Sequence, residues 1–116
     1  MLRKLCLLVL HAGTTDAADC TTPIMHALTA DAMACEVEVY FIGANVRLLS
    51  AQMPHSAVSD VLGDAPANGV RIYACTSAWK AHAAAGATLA PWCAGFAGAA
   101  TYLGRALDPA WRVISY

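Results

Sequence analysis

The side chains able to do covalent chemistry in this chain are few, and the stretch that places one of them best is GVRIYACTSAWKAH, residues 69–82. Cys75 closes a β-branched and aromatic run, and Thr76 and Ser77 open a segment of helical composition. A thiol where a strand hands over to a helix lies beside unpaired backbone N–H groups and the positive end of the helix dipole. Both favour a thiolate, so Cys75 is a candidate low-pKa nucleophile. The alternative at the same position is a small buried hydrophobe that ends a strand.

The other candidates are accessory. Cys93, in PWCAG, could resolve an oxidised or persulfidated Cys75 as a disulfide, or could pack at a helix start. His11 follows the first apolar run and could assist Cys75 if their strands are neighbours, or could be a hydrogen-bonded loop residue. Thr76 and Ser77 offer hydroxyls next to the thiol. His26, His82 and Lys80 read as structural or solvent-facing helix residues, and Trp79 and Trp92 as packing or pocket-lining aromatics. HAGTTD, residues 11–16, lacks both the GxGxxG and the Walker pattern, which argues against a nucleotide site. The five cysteines form no CxxC pair and no cluster with histidine at zinc spacing, so no metal and no cofactor is expected. Their odd number fits free thiols in a reducing compartment, the cytoplasm.

These residues need elements to hold them. KLCLLVLHAG is a continuous apolar run ending in glycine, as in a strand covered on both faces of a parallel sheet. Arg3 and Lys4 before it imitate a signal peptide, but the six-residue run Leu5–Leu10 is short for one and reads better as a buried strand. Thr22 as N-cap with Pro23 at the first helical position begins a helix with Ile24, Leu28 and Cys35 near one face. Val37–Ile42 is a second strand, Val46–Leu49 an apolar turn, and 55–62 holds a helix before the turn-forming GDAPANG. Val70–Cys75 is the third strand and Ser77–Ala85 the helix after it. ATLAPW, residues 87–92, can hold a short fourth strand, CAGFAGAATYLGRAL is a small-residue helix, and WRVISY is a closing strand after Asp108 and Pro109. Strands separated by helices imply a parallel α/β sheet with helices on both faces, in one domain over residues 1–116. The functional edge of such a sheet is the carboxyl ends of its strands, where Cys75 falls.

Composition narrows the partners. The net charge is −1, from 7 basic and 8 acidic residues, which leaves no basic stripe for nucleic acid or anionic lipid and no evident charge patch for docking a protein partner. Hydrophobic residues make up 59% and charged ones 13%, against about 25% charged in ordinary domains. A chain this small exposes a large share of its surface, so the polarity deficit implies a homo-oligomer. The uncharged stretch 81–104 is interrupted by Pro91 and several glycines and reads as two buried segments, not a membrane span.

VRIYACTSAWKAHAAAG resembles the cysteine segment of the DsrE/DsrF-like family of small sulfur-relay proteins. HAGTTDAADCTTPIMHALTADAMACEVEVYFIGANVRLL resembles that family's first strand, long helix and second strand with its FxGxxV end, and RVISY its closing strand. The resemblance implies a three-layer α/β/α sandwich with a five-stranded parallel sheet, flavodoxin-like in appearance, assembling as a trimer or hexamer. It also implies that Cys75 carries a persulfide received from a sulfur donor protein and passed to an acceptor protein. Such a carrier needs a thiolate in an exposed position and little else. Two further readings stay open: a non-catalytic oligomer that binds a small ligand at subunit clefts, and a thiol redox protein that pairs Cys75 with Cys93.

Overall fold

A computed structural model describes residues 3–10, 21–53 and 68–116. Five strands form one parallel sheet: β1 (Lys4–Val9), β2 (Glu36–Phe41), β3 (Arg71–Cys75), β4 (Gly95–Ala97) and β5 (Trp111–Ser115), in the order β4-β3-β2-β1-β5. Helices α1 (Thr21–Ala32), α2 (Thr76–His82) and α3 (Ala99–Leu107) and a 3-10 segment, Gly43–Leu49, accompany it.

The pleat divides the strand side chains between two layers. Leu7, Val9, Val37, Val39, Phe41, Ile72 and Ala74 bury one face of the sheet against Ile24, Ala27 and Ala30 of α1, Val46 and Leu49 of the 3-10 segment and Ala78 of α2. The opposite face carries Cys6, Tyr40, Ala97 and Trp111, with Tyr73 and Val113 beside them, and is met by Tyr102 of α3. Helices therefore lie on both sides of the sheet, as the alternation of elements requires. The strand expectations for 5–10, 37–42, 70–75 and 113–115 hold to within one or two residues, because stretches rich in aliphatic and aromatic residues suit a pleated, half-buried surface.

Three expectations differ from the structure. The fourth strand is Gly95–Ala97, inside the stretch read as helix, while 87–92 contributes only an isolated antiparallel bridge of Leu89 with Ser50. Pairing of Tyr73–Cys75 with residues 95–97 decides this, since three small or aromatic residues have no periodicity of their own. Helix α1 already includes Thr21, so Thr22 and Pro23 lie within its first turn and do not start it. Helix α2 runs from Thr76 only to His82; Ala83 is extended, and Arg47 Nε donates to the His82 carbonyl at 3.0 Å. The helix expected in 55–62 lies outside the described residues. Among the described residues no helix is long and apolar enough to cross a membrane.

The carboxyl ends of β1 and β2 are tied by buried Asn45, whose Nδ2 donates to the carbonyls of Val9 at 3.1 Å and Ile42 at 3.4 Å. The chain turns into that position at Gly43, with φ +66°, where a Cβ would stand 3.0 Å from Leu10 Cδ1. Backbone strain and crowding act together there, so Gly43→Ala is expected to lower stability by about 1–3 kcal/mol in denaturant unfolding. An unchanged unfolding midpoint would show that this turn relaxes freely.

Candidate functional site

Cys75 is the last residue of β3 and the residue immediately before α2, with φ −64° and ψ 125°. The strand ends here because the next residues take helical geometry, which turns the first amides of α2 back towards the sulfur. Sγ lies 3.4 Å from Ser77 Oγ and 4.0 Å from the hydroxyl of Tyr102 on α3. Burial is the largest influence on this thiol and pushes its pKa up. The Ser77 hydroxyl, the Ala78 N–H, the Tyr102 hydroxyl and the Ser77 N–H favour the thiolate, and together they bring the pKa below that of an ordinary cysteine. The Tyr102 phenol is in turn pushed up, by burial first and then by the neighbouring sulfur.

One expectation fails at this point. The sequence reading calls for an exposed thiol, whereas Cys75 is only 4% accessible. It packs in the core cluster with Leu49, Ala74 and Ala78, with the Tyr102 hydroxyl of α3 approaching its sulfur, and the exposed residues at the junction are its neighbours Thr76 and Ser77. A sulfur added to Cys75 would stand about 2 Å beyond Sγ.

The accessory candidates are not gathered around it. Cys93 lies in the loop before β4, not at a helix start. Ala94 N donates to Ile72 O at 2.8 Å and Gly95 pairs with Tyr73, so Cys93 enters near the amino-terminal half of β3 while Cys75 closes its carboxyl end. Each strand residue adds about 3.3 Å, so the two sulfurs are set apart along the strand. Burial also pushes the Cys93 thiol up to about 12. Thr76 is exposed, and Ser77 is the hydroxyl residue of the pair that reaches the sulfur. His11, Cys20 and the 11–16 loop lie outside the described residues. His26 Nδ1 meets the Tyr116 hydroxyl at 2.6 Å, and Trp79 packs edge-on against Phe96 with ring centroids 5.5 Å apart. Among the described residues no three His, Cys, Asp or Glu side chains gather as a metal ion would require.

Tyr102 was not legible in advance. Its stretch reads as a generic small-residue helix, and only the packing of α3 against β5, β1 and β4 brings its hydroxyl within reach of the sulfur. A separate cleft of about 630 Å³ opens between the 3-10 segment and the carboxyl end of α2, lined by Arg47, Gln52, Met53, His82 and the alanines after it. Cys75 is at the other end of that helix, about 10 Å away at 1.5 Å per residue.

The four described cysteines are free thiols, and their reactivities should differ widely. An ordinary thiol holds about 3% thiolate at pH 7. Cys6, whose pKa is pushed up to about 12 by burial and then by the charge of Glu38, and Cys93 hold about one part in 10⁵. At neutral pH, Cys75 is therefore expected to be alkylated at least about a hundredfold faster than either in the folded protein, read by peptide mass. Equal rates would show that access, not ionisation, governs Cys75.

The chain resembles proteins already solved. The ychN protein from E. coli superposes with a TM-score of 0.76 at 12% identity, over 100% of both chains. The protein MTH1491 from Methanobacterium thermoautotrophicum, described as of unknown function, superposes with a TM-score of 0.71 at 19% identity, again over 100% of both. Identities this low speak for the shared fold. Among curated protein sequences nothing matches the chain. The model of the DsrE/DsrF-like family matches residues 4–116, nearly the whole length, and the chain therefore belongs to the DsrE/DsrF-like family.

Proposed function

We propose that this protein is a sulfur carrier that holds a persulfide on Cys75. The observation that carries the reading is the set of donors around one sulfur: two hydroxyls and two backbone N–H groups favour the thiolate of a thiol that burial alone would keep protonated. The Cys75 thiolate attacks the outer sulfur of a donor protein's persulfide. A new S–S bond forms on Cys75 as the donor's S–S bond breaks, and the donor leaves as a thiolate. The reverse attack by an acceptor thiolate returns Cys75 to its starting state, with no net oxidation and no metal or organic cofactor. The free thiols suit a reducing compartment such as the cytoplasm.

The test is intact mass after incubation with a persulfide donor. A gain of about 32 Da, one sulfur atom, that maps to Cys75 supports the carrier. Loss of two hydrogens on mild oxidation, with no sulfur gained, would support the redox reading instead.

The carrier works as a homo-oligomer, a trimer or hexamer. Leu103 and Leu107 on α3 are 52% and 84% exposed, and Phe96 and Met33 about half, so the polarity deficit of the sequence lies on the surface of the single chain. Light scattering is expected to return at least a trimer in dilute solution. A species of 12.1 kDa would contradict it.

A further inference from the structure

Helix α3 has no buried residue, yet it brings Tyr102 to the thiol. Part of what fixes it lies one turn further on. Arg105 Nε donates to Glu38 Oε1 at 2.7 Å and Nη2 to Oε2 at 3.4 Å, while the guanidinium lies 4.7 Å from the centroid of the Trp111 ring. The Glu38 side chain is only 3% exposed. Its Oε1 also accepts from the Tyr40 hydroxyl at 2.8 Å, and Arg71 Nη2 lies 3.5 Å from Oε2. The Tyr40 ring stacks on Tyr73 at 5.1 Å and meets Tyr102 at 5.9 Å. Residues 102 and 105 are neighbours on one face of a helix. The phenol and the guanidinium therefore engage the same face of the sheet.

We infer that Glu38 and Arg105 are positioning residues for the Cys75 thiol: their ion pair, made by a partly exposed guanidinium on a buried carboxylate, holds α3 on the sheet at the distance where the Tyr102 hydroxyl meets the sulfur. The inference rests on Cys75 being the working thiol, but its readout needs no sulfur donor. An ion pair with one partner buried gives little net stability over apolar residues of the same size, whereas a two-point Arg–carboxylate contact fixes geometry. That is what a helix with exposed leucines and one functional hydroxyl requires. The groups facing Sγ are Ser77 and the first amides of α2, and Tyr102 from α3. Tyr40, Tyr73, Cys6, Glu38, Arg71 and Arg105 belong to the same face of the sheet and its covering helix.

The test measures the rate of Cys75 alkylation by iodoacetamide against pH in wild type, Tyr102→Phe, Arg105→Gln, Glu38→Gln, and each of the last two combined with Tyr102→Phe. Loss of the hydroxyl is expected to raise the thiol midpoint by about half a unit to one unit and slow alkylation at pH 7 by about three- to tenfold. Arg105→Gln and Glu38→Gln should each shift the midpoint the same way, and neither should shift it further in the Tyr102→Phe background. A direct field effect would instead give opposite signs, since losing the cation raises the midpoint and losing the anion lowers it. Opposite signs, shifts that persist without the Tyr102 hydroxyl, or unchanged midpoints in folded variants would each overturn the inference. Circular dichroism establishes folding; if Arg105→Gln does not fold, the nearly isosteric Glu38→Gln carries the same comparison. Persulfide loading of wild type is read separately, so its failure removes the carrier and leaves the positioning result standing.

Discussion

Cys75→Ser is expected to abolish persulfide loading and leave the fold intact. Serine is nearly the size of cysteine, and the Ser77 and Tyr102 hydroxyls already make the surroundings polar. The backbone of residue 75 keeps its pairing with Ala97, so the change in stability should stay within about 1 kcal/mol. The chemical loss is complete, because an alcohol of this kind is not ionised near neutral pH and does not take up sulfane sulfur. Wild type should gain about 32 Da per chain from a persulfide donor and the variant none. The loading rate of wild type should climb with pH and level off below the range near 8.5 where an ordinary thiol does, since the donors around Cys75 depress its pKa against the opposing effect of burial. Loading that persists in the serine variant would move the chemistry to another thiol and end the case for Cys75.

A large loss of stability is expected at the Glu38 ion pair. Removing Arg105 leaves the buried Glu38 charge less well matched, at a cost of about 1–3 kcal/mol for a pair whose guanidinium is partly solvated, whereas replacing both by apolar residues is often close to neutral. Arg105→Leu should therefore lower the unfolding midpoint, softened by the Tyr40 and Arg71 contacts that remain. Adding Glu38→Leu should restore most of the loss. The pH dependence has a definite sign. Burial pushes the Glu38 carboxyl up, but bonds from Arg105 and Tyr40 and the charges of Arg105 and Arg71 outweigh it, so its folded pKa is lowered. Its contribution is present above the unfolded carboxylate value, about 4.3, and disappears as pH falls through the lower folded value. Arg105→Leu should accordingly unfold at a higher pH than wild type on acid titration. A single variant as stable as wild type, or a double variant no better than the single one, would show that the pair is not coupled.

The sequence by itself determined the framework. An apolar run such as Leu5–Leu10 is best satisfied as a strand covered on both faces, Val37–Ile42 reads as a strand from its β-branched and aromatic residues, and the strand-to-helix junction at Cys75 follows from β-branched residues giving way to alanines. Those signals are local, so they can be read without the fold. Strand β4 could not be read this way, because Gly95, Phe96 and Ala97 become a strand only where β3 offers an edge to pair with. Nor could the burial of Cys75, which packs in the core cluster with Leu49 and Ala78 from separate elements. Glu38 reads as the polar member of an alternating strand, and Tyr102 and Arg105 as ordinary helix residues. Tertiary structure alone decided that they meet, because contacts between residues 38, 75, 102 and 105 depend on how separate elements are stacked. No spacing along the chain encodes that stacking; it is set by which faces of the sheet and helices exclude water together.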